Sequence, residues 1–256
     1  MQRILLTLQV FFPTCKVLCL PQIKIMQKLL LLHGAIGSQQ QFDELKSHLQ
    51  SDFEIHTLNF SGHGGNPIPG EPFSIGLFAK DVLNYLDRND MELIDIFGYS
   101  MGGYVALYLA KYFPFRVGKI FTLATKFNWT ESSAEKESKM LNVNVIMEKV
   151  PAFADELRKR HHPADWKIVL EKTTEMMIVM GRKIVLTNED LQCIEHETLL
   201  SVGDLDKMVS IEETENAHRH LKKSKLHIFK NTPHPIERCN VNVLSKKIRE
   251  FLIKKN

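Results

Sequence analysis

Short apolar runs alternate with amphipathic stretches along most of the chain. Runs of strand length occur at 29–32, 53–60, 93–97, 119–124, 197–202 and 226–229. The run at 29–32 is uninterrupted, as is typical of a strand buried on both faces of a parallel sheet. Stretches with helical spacing lie at 42–49, 75–86, 104–112 and 241–253. The alternation predicts an α/β fold with a mostly parallel central sheet and helices on both of its faces.

The strand pattern stops between residues 125 and 190. Helical spacing replaces it there, at 135–149, 152–161, 165–180 and 190–194. A helical segment of this length is too long for one crossover between neighbouring strands. We therefore expect an inserted helical cap over 126–190, with the α/β core formed by 26–125 and 191–256.

Residues 1–25 form an N-terminal extension of uncertain status. A short basic start precedes an apolar run, but Pro13 interrupts that run and no convincing cleavage site follows. The run is too short to span a membrane as a helix. A leading hairpin, a targeting segment and a dispensable extension before Met26 remain as alternatives.

Composition excludes several classes of function. The 256 residues are 44% hydrophobic, enough for one large α/β domain with an inserted subdomain. A net charge of +3 gives no reason to expect a nucleic-acid partner. Four cysteines, none with zinc-site spacing, favour a reducing, cytoplasmic location and predict no metal site. Since dinucleotide and phosphate-loop fingerprints are missing from the sequence, we expect no cofactor.

The segment 98–102, Gly-Tyr-Ser-Met-Gly, joins a predicted strand to a predicted helix. Glycines two residues on either side of Ser100 remove the Cβ atoms that would block a sharp strand-to-helix turn. Such a turn presents the serine hydroxyl at the start of the helix. This pattern also occurs in ordinary turns, so it does not identify a nucleophile by itself. A serine hydroxyl is a poor nucleophile near neutral pH and needs a histidine to take its proton and a carboxylate to orient that histidine.

Candidate partners for Ser100 follow two late strands. Of eleven histidines, His234 lies in a loop just past a late strand and before the terminal helix. The loop after the preceding strand supplies Asp204 and Asp206. The resulting chain order is serine, aspartate, histidine, which is the order found in α/β-hydrolases.

Together these motifs resemble the α/β-hydrolase fold superfamily, in its group of small, cap-bearing serine hydrolases, over roughly residues 29–253. The group includes esterases, carbon-carbon bond hydrolases and the menaquinone-pathway lyase. The motifs that carry the resemblance are His33-Gly34-Ala35 (oxyanion loop), Gly62-His63-Gly64 (glycine-rich turn), Gly98-Tyr99-Ser100-Met101-Gly102-Gly103 (nucleophile elbow), Gly203-Asp204-Leu205-Asp206 (acid loop) and His234-Pro235 (histidine loop). This chain has Asn59 where the family's turn usually opens with an aspartate.

The resemblance implies a role for each motif. Ser100 is the expected nucleophile, His234 the base and Asp206 the residue that orients it, since the family's acid is the second aspartate of its loop. The expected oxyanion donors are the backbone N–H groups of Ala35 and Met101. His33 and His63 are interpreted as structural. The expected substrate-binding residues are Ile36, Tyr99, Phe127, Trp129, Met208 and Pro235. The alternative interpretation of the aromatic and methionine residues of the cap, Trp166 and Met176 included, is that they form the cap's own core, which is the commoner role of such residues.

The leading hypothesis is a serine hydrolase that acts through an acyl-enzyme on a small or medium carboxylic ester or thioester with an apolar acyl part. Carbon-carbon hydrolysis or a lyase reaction on a keto acid is an alternative, with Lys126, Arg158 and Arg160 as candidate carboxylate ligands. A non-catalytic ligand receptor on the same fold is another. We expect no nucleic-acid partner, no stable membrane insertion, and a monomer or homodimer.

Overall fold

The computed structural model describes residues 26–253, so the alternatives for residues 1–25 lie outside the described part of the chain. Within it, strands form one parallel sheet in the order β2-β1-β3-β4-β5-β6. They are β1 (Gln27–Leu32), β2 (Phe53–Thr57), β3 (Ile94–Tyr99), β4 (Val117–Leu123), β5 (Thr198–Gly203) and β6 (Ser224–Phe229). The predicted parallel sheet is confirmed.

Helices connect these strands. They are α1 (Asp43–Leu49), α2 (Ile75–Arg88), α3 (Met101–Tyr112), α4 (Glu131–Met140), α5 (Val143–Lys149), α6 (Pro151–His161), α7 (Trp166–Arg182), α8 (Asn188–Gln192), α9 (Ile211–His220) and α10 (Val241–Leu252). We call α4 to α8, which lie between β4 and β5 in the chain, the inserted helices. The division into core and cap at 126 and 190 stays a prediction.

The leucines of β1 show why the sheet is buried on both faces. Successive side chains of a strand point to opposite faces. Leu30 and Leu32 pack in the core cluster that contains residues of α2 and α3, whereas Leu29 and Leu31 pack with residues of α1 and α10. All four leucines are fully buried. Helices of the core therefore cover both faces, as the apolar runs predict.

Parallel pairing brings the carboxyl ends of the strands to one edge of the sheet. Leu32 at the end of β1 pairs with Gly98 near the end of β3. Gly203 at the end of β5 likewise pairs with Phe229 at the end of β6. The loops that follow these strands carry the oxyanion, nucleophile, acid and histidine motifs, so the sheet register collects all four at this edge.

Two element predictions were wrong, and one helix was not predicted. The predicted helix over 135–149 is interrupted, because the Asn142 side chain accepts the Val145 N–H and starts a new helix, α5. Strand β2 ends at Thr57 instead of residue 60. Helix α9 was not predicted, although Ser210 and Glu213 form a capping box at its start. Within residues 26–253, no helix combines the length and the apolar composition needed to cross a bilayer.

Candidate active site

Ser100 occupies a single-residue turn between β3 and α3. Its backbone has φ 52° and ψ −117°, a region that residues other than glycine seldom adopt. The Ser100 N–H donates to the carbonyl of Leu123 (2.8 Å), and its own carbonyl accepts from the N–H of Gly103 (3.0 Å). These bonds from β4 and α3 hold the strained residue in place. Such strain is concentrated at functional sites.

The flanking glycines are required by close backbone contacts. A Cβ atom on Gly98 would lie 2.5 Å from the backbone of Gly103. A Cβ atom on Gly102 would lie 2.2 Å from the carbonyl oxygen of Leu32. The spacing of the glycines around Ser100 therefore reflects tight packing of α3 against β1 and β3.

A buried carboxylate orients the histidine of the site. His234 Nδ1 lies 2.8 Å from Asp206 Oδ2, and the Asp206 side chain is fully buried. Asp206 Oδ1 accepts the N–H groups of Met208 (2.8 Å) and Val209 (2.9 Å), which fixes the carboxylate. Since Nδ1–H donates to Asp206, Nε2 is the ring nitrogen left for proton transfer. Asp204 instead accepts the Thr232 N–H (3.2 Å) in the neighbouring turn.

Tyr99 positions the histidine loop. Its hydroxyl donates to the carbonyl of His234 (3.0 Å), and the two rings lie 5.6 Å apart between centroids. Burial is the main cause that raises the pKa of Tyr99 above its usual value, so the hydroxyl stays a donor. Tyr99, the last residue of β3 before Ser100, thus contacts the candidate base.

Ser100 and His234 line a common cavity of about 220 Å³. Ala35 and Met101 line it as well, and the N–H of neither residue donates to another backbone group of the described residues. Both N–H groups are thus free to bind a ligand. Among hydrogen bonds within residues 26–253, none joins the Ser100 hydroxyl to His234; contacts of this kind often tighten when substrate binds.

Most of the predicted substrate-binding residues line this cavity. Ile36, Tyr99 and Trp129 do so, as do Met208 and Pro235. Further apolar walls come from α2 and the inserted helices, namely Ile75, Leu141, Phe153, Met176, Met177 and Met180.

Phe127, also a predicted substrate-binding residue, is not among the residues that line this cavity. Its N–H donates to Glu213 Oε1 (2.9 Å), and its ring packs towards Tyr104, with centroids 6.5 Å apart. These two contacts place the Phe127 side chain against the core cluster that contains α3. Trp166 is likewise part of a separate cluster, with Leu157 and Leu170 of α6 and α7.

Glu137, a buried carboxylate that lines the cavity, was not predicted. Lys126 Nζ lies 3.3 Å from Glu137 Oε1 and 4.0 Å from Glu213 Oε2, and it donates to the Met208 carbonyl (3.1 Å). Glu137 on α4 is only 2% exposed. An isolated glutamate in a polar helix gives no signal in the sequence that it points inward. Lys126, a candidate carboxylate ligand, is thus already neutralised by protein groups.

Helix α6 contacts the oxyanion loop through two side chains. Arg160 Nη1 and His161 Nε2 each lie 3.1 Å from the Ile36 carbonyl, and His161 Nδ1 accepts the Gly64 N–H (3.1 Å). Burial, and secondarily the Arg160 charge, lowers the pKa of His161 to about 4. The ring is therefore neutral and bridges α6, the oxyanion loop and the glycine-rich turn.

Two further histidines support the loops beside the site. His33 Nε2 accepts the Phe60 N–H (3.2 Å) while Nδ1 contacts the Gly34 carbonyl (2.8 Å), and burial lowers its pKa to about 3. His63 is buried too, and its pKa is well below the usual value, mainly through burial. These environments support the interpretation of His33 and His63 as structural. No cluster of side chains suited to a metal ion occurs within residues 26–253.

Asn59 stabilises the glycine-rich turn without a charge. Its Oδ1 accepts the Gln39 N–H (2.7 Å), and its Nδ2 donates to the Gly64 carbonyl (2.9 Å). Two hydrogen bonds of the Asn59 amide thus hold the turn, at the position where α/β-hydrolases usually have an aspartate.

The fold and the site define a hydrolase of the α/β class. A family model described as alpha/beta hydrolase fold matches residues 28–165, more than half of the chain, and the chain therefore belongs to this family. Among curated proteins it is similar to a pimeloyl-[acyl-carrier protein] methyl ester esterase of Neisseria meningitidis serogroup C, with 26% identity over 88% of this chain and 93% of the relative.

Solved structures show the same fold. A 2-hydroxy-6-oxo-6-phenylhexa-2,4-dienoate hydrolase from Rhodococcus sp. superposes with a TM-score of 0.74 at 18% identity, covering 88% of this chain and 90% of the other. An esterase from Thermogutta terrifontis superposes with a TM-score of 0.67 at 22% identity, covering 88% of this chain and 89% of the other.

Proposed function

We propose that this protein is a serine esterase that hydrolyses a small or medium carboxylic ester with an aliphatic acyl part. The single observation that carries the proposal is the cavity in which Ser100, at its strained turn, meets His234 hydrogen-bonded to the buried Asp206. The similarity to a methyl ester esterase and the apolar cavity walls support an ester of an aliphatic acid.

The proposed reaction has two halves. Ser100 Oγ attacks the ester carbonyl while His234 Nε2 takes the hydroxyl proton, and Asp206 stabilises the imidazolium. The N–H groups of Ala35 and Met101 bind the oxyanion of the tetrahedral intermediate, and Met101 adds the positive end of α3. Collapse expels the alcohol, which receives the proton from His234. A water molecule, deprotonated by His234, then releases the carboxylic acid.

Cleavage of a keto acid is less well supported by the charges in the cavity. Such substrates carry a carboxylate that needs a cationic partner, and Lys126 is paired with Glu137 (3.3 Å). Arg160 contacts the Ile36 carbonyl and Glu237, whereas Arg158 is paired with Asp155 on the exposed side of α6. None of these candidate cations is free for a substrate carboxylate.

Turnover of p-nitrophenyl esters from acetate to octanoate tests the proposal. We expect hydrolysis by the wild type and a loss of about 10³-fold or more in kcat for Ser100→Ala. Ser51→Ala, a change at an exposed serine, is the matched control and should keep full activity. A fluorophosphonate probe should label Ser100 in the folded protein. If the wild type turns over no ester and Ser100 stays unlabelled, the proposal is wrong.

A further inference from the structure

Two residues that line the cavity each have a buried polar atom without a hydrogen-bond partner among residues 26–253. These atoms are Oε2 of Glu137 and Nε1 of Trp129. Both residues line the cavity that contains Ser100, and they are only 2% and 7% exposed. Since buried polar groups in folded proteins are nearly always hydrogen-bonded, two such atoms on residues of one cavity are candidates to bind a molecule that enters it.

The two atoms demand complementary chemistry. A carboxylate oxygen only accepts hydrogen bonds, and an indole N–H only donates. A group that satisfies both must donate to Glu137 and accept from Trp129. A hydroxyl and a primary carboxamide meet this requirement, whereas an ammonium has no acceptor for the indole N–H.

The charges around Glu137 exclude an anionic ligand. Lys126 is the cation beside two carboxylates, those of Glu137 (3.3 Å) and Glu213 (4.0 Å). The cluster of these three side chains therefore has a formal charge of −1. A ligand carboxylate placed against Glu137 would meet like charge in a buried environment, which is strongly unfavourable. The ligand group is thus neutral.

We propose that Glu137 and Trp129 form a subsite for a neutral hydroxyl or carboxamide group carried on an aliphatic chain of the ester substrate. Met176, Met177 and Met180 of α7 line the same cavity, and these apolar walls suit the aliphatic part of that chain. The inference rests on the proposed function, because it assumes that Ser100 attacks an ester bound in this cavity.

The test compares p-nitrophenyl hexanoate and octanoate with their ω-hydroxy counterparts on the full-length protein. Hexyl acetate and 6-hydroxyhexyl acetate make the same comparison on the alcohol side. We expect kcat/KM for at least one hydroxy ester to exceed that of its plain partner by about tenfold. In Trp129→Phe, which removes the indole donor, this ratio should fall towards one. Trp166→Phe, the same change in the separate cluster of α6 and α7, should keep the wild-type ratio.

Three results would overturn the subsite. The first is a higher kcat/KM for the plain ester at every chain length, on the acyl side and on the alcohol side. The second is an unchanged ratio of the two kcat/KM values in a folded Trp129→Phe variant. The third is a higher kcat/KM for a 6-aminohexanoyl ester than for the hydroxy ester. If the wild type hydrolyses no ester, the proposed function fails instead. The subsite is then judged by calorimetric titration with 1,8-octanediol and 1-octanol, where tighter binding of the diol supports it and equal or weaker binding contradicts it.

Discussion

At the scale of single residues, the acid loop shows how two nearby aspartates take different roles. Asp206 contacts His234, whereas Asp204 accepts the backbone N–H of Thr232. We expect Asp206→Asn to lower kcat by about 10⁴-fold, because an amide favours the wrong imidazole tautomer and cannot stabilise the imidazolium. Asp204→Asn is the matched control. It should lower kcat by less than about tenfold, since an amide oxygen still accepts the Thr232 N–H. Equal losses in measured kcat would contradict the assignment.

Residues with a local signature could be predicted from the sequence, and residues placed only by packing could not. Ser100 is marked by its glycines and His234 by its position after a late strand. Phe127 and Glu137 carry no comparable signal. A hydrogen bond from Glu213 on α9, an element that was not predicted, turns Phe127 away from the cavity. Glu137 faces inward, where it pairs with Lys126, which precedes α4 in the chain.

At the scale of elements, the elbow depends on close contact between α3 and the end of β1. We expect Gly102→Ala to destabilise the fold by at least about 2 kcal/mol, since its Cβ would lie 2.2 Å from the Leu32 carbonyl oxygen, which belongs to the rigid sheet. Gly70→Ala is the matched control, because no atom lies within 4 Å of its Cβ position. Urea unfolding measures both free energies. A Gly102→Ala protein as stable as the control would show that the turn is less tight than described.

Helix α6 provides a second element-level prediction, because Arg160 holds the oxyanion loop. Its guanidinium lies 3.1 Å from the Ile36 carbonyl and 3.7 Å from Glu237 of the histidine loop. We expect Arg160→Met to lower kcat about tenfold with a smaller change in KM, since the neighbouring Ala35 N–H loses its fixed position.

Arg158→Met is the control for this prediction. Arg158 lies two residues earlier on α6, is 59% exposed and is paired with Asp155. Its loss should leave kcat within about twofold, because exposed ion pairs contribute little. If both variants behave alike, α6 does not position the oxyanion loop.

Strands were predicted more accurately than the inserted helices. The buried strands were predicted because short, mainly apolar segments mark them, as in β1, where residues 29–32 are all leucine. The inserted helices were predicted less well. The break at Asn142 depends on one side-chain cap, which competes with a continuous helix over 135–149.

At the scale of the whole molecule, neutral buried histidines join the inserted helices to the core. His161 of α6 lies against His63 of the glycine-rich turn, with ring centroids 5.7 Å apart. His63 in turn lies 5.3 Å from His33, which follows β1. Burial lowers the pKa of all three residues below the usual histidine value of 6.5. The contact of α6 with the glycine-rich turn and the loop after β1 is thus built from histidines that resist protonation.

This arrangement predicts that the protein loses stability as the pH falls from about 6.5 to 4. The unfolded chain binds protons at its histidines near pH 6.5, whereas folded His161, with a pKa of about 4 beside the Arg160 charge, does not. Because the unfolded state then binds more protons, the free energy of unfolding falls with decreasing pH, by up to about 1.4 kcal/mol per pH unit for each such histidine.

His161→Gln keeps one donor and one acceptor but has no titratable group. Urea unfolding at pH 7, 6 and 5 should therefore show a slope that is shallower in the variant by up to this amount, while the two slopes coincide above pH 7. Parallel curves from pH 7 to 5 would mean that His161 is protonated as readily in the folded protein as in the unfolded chain.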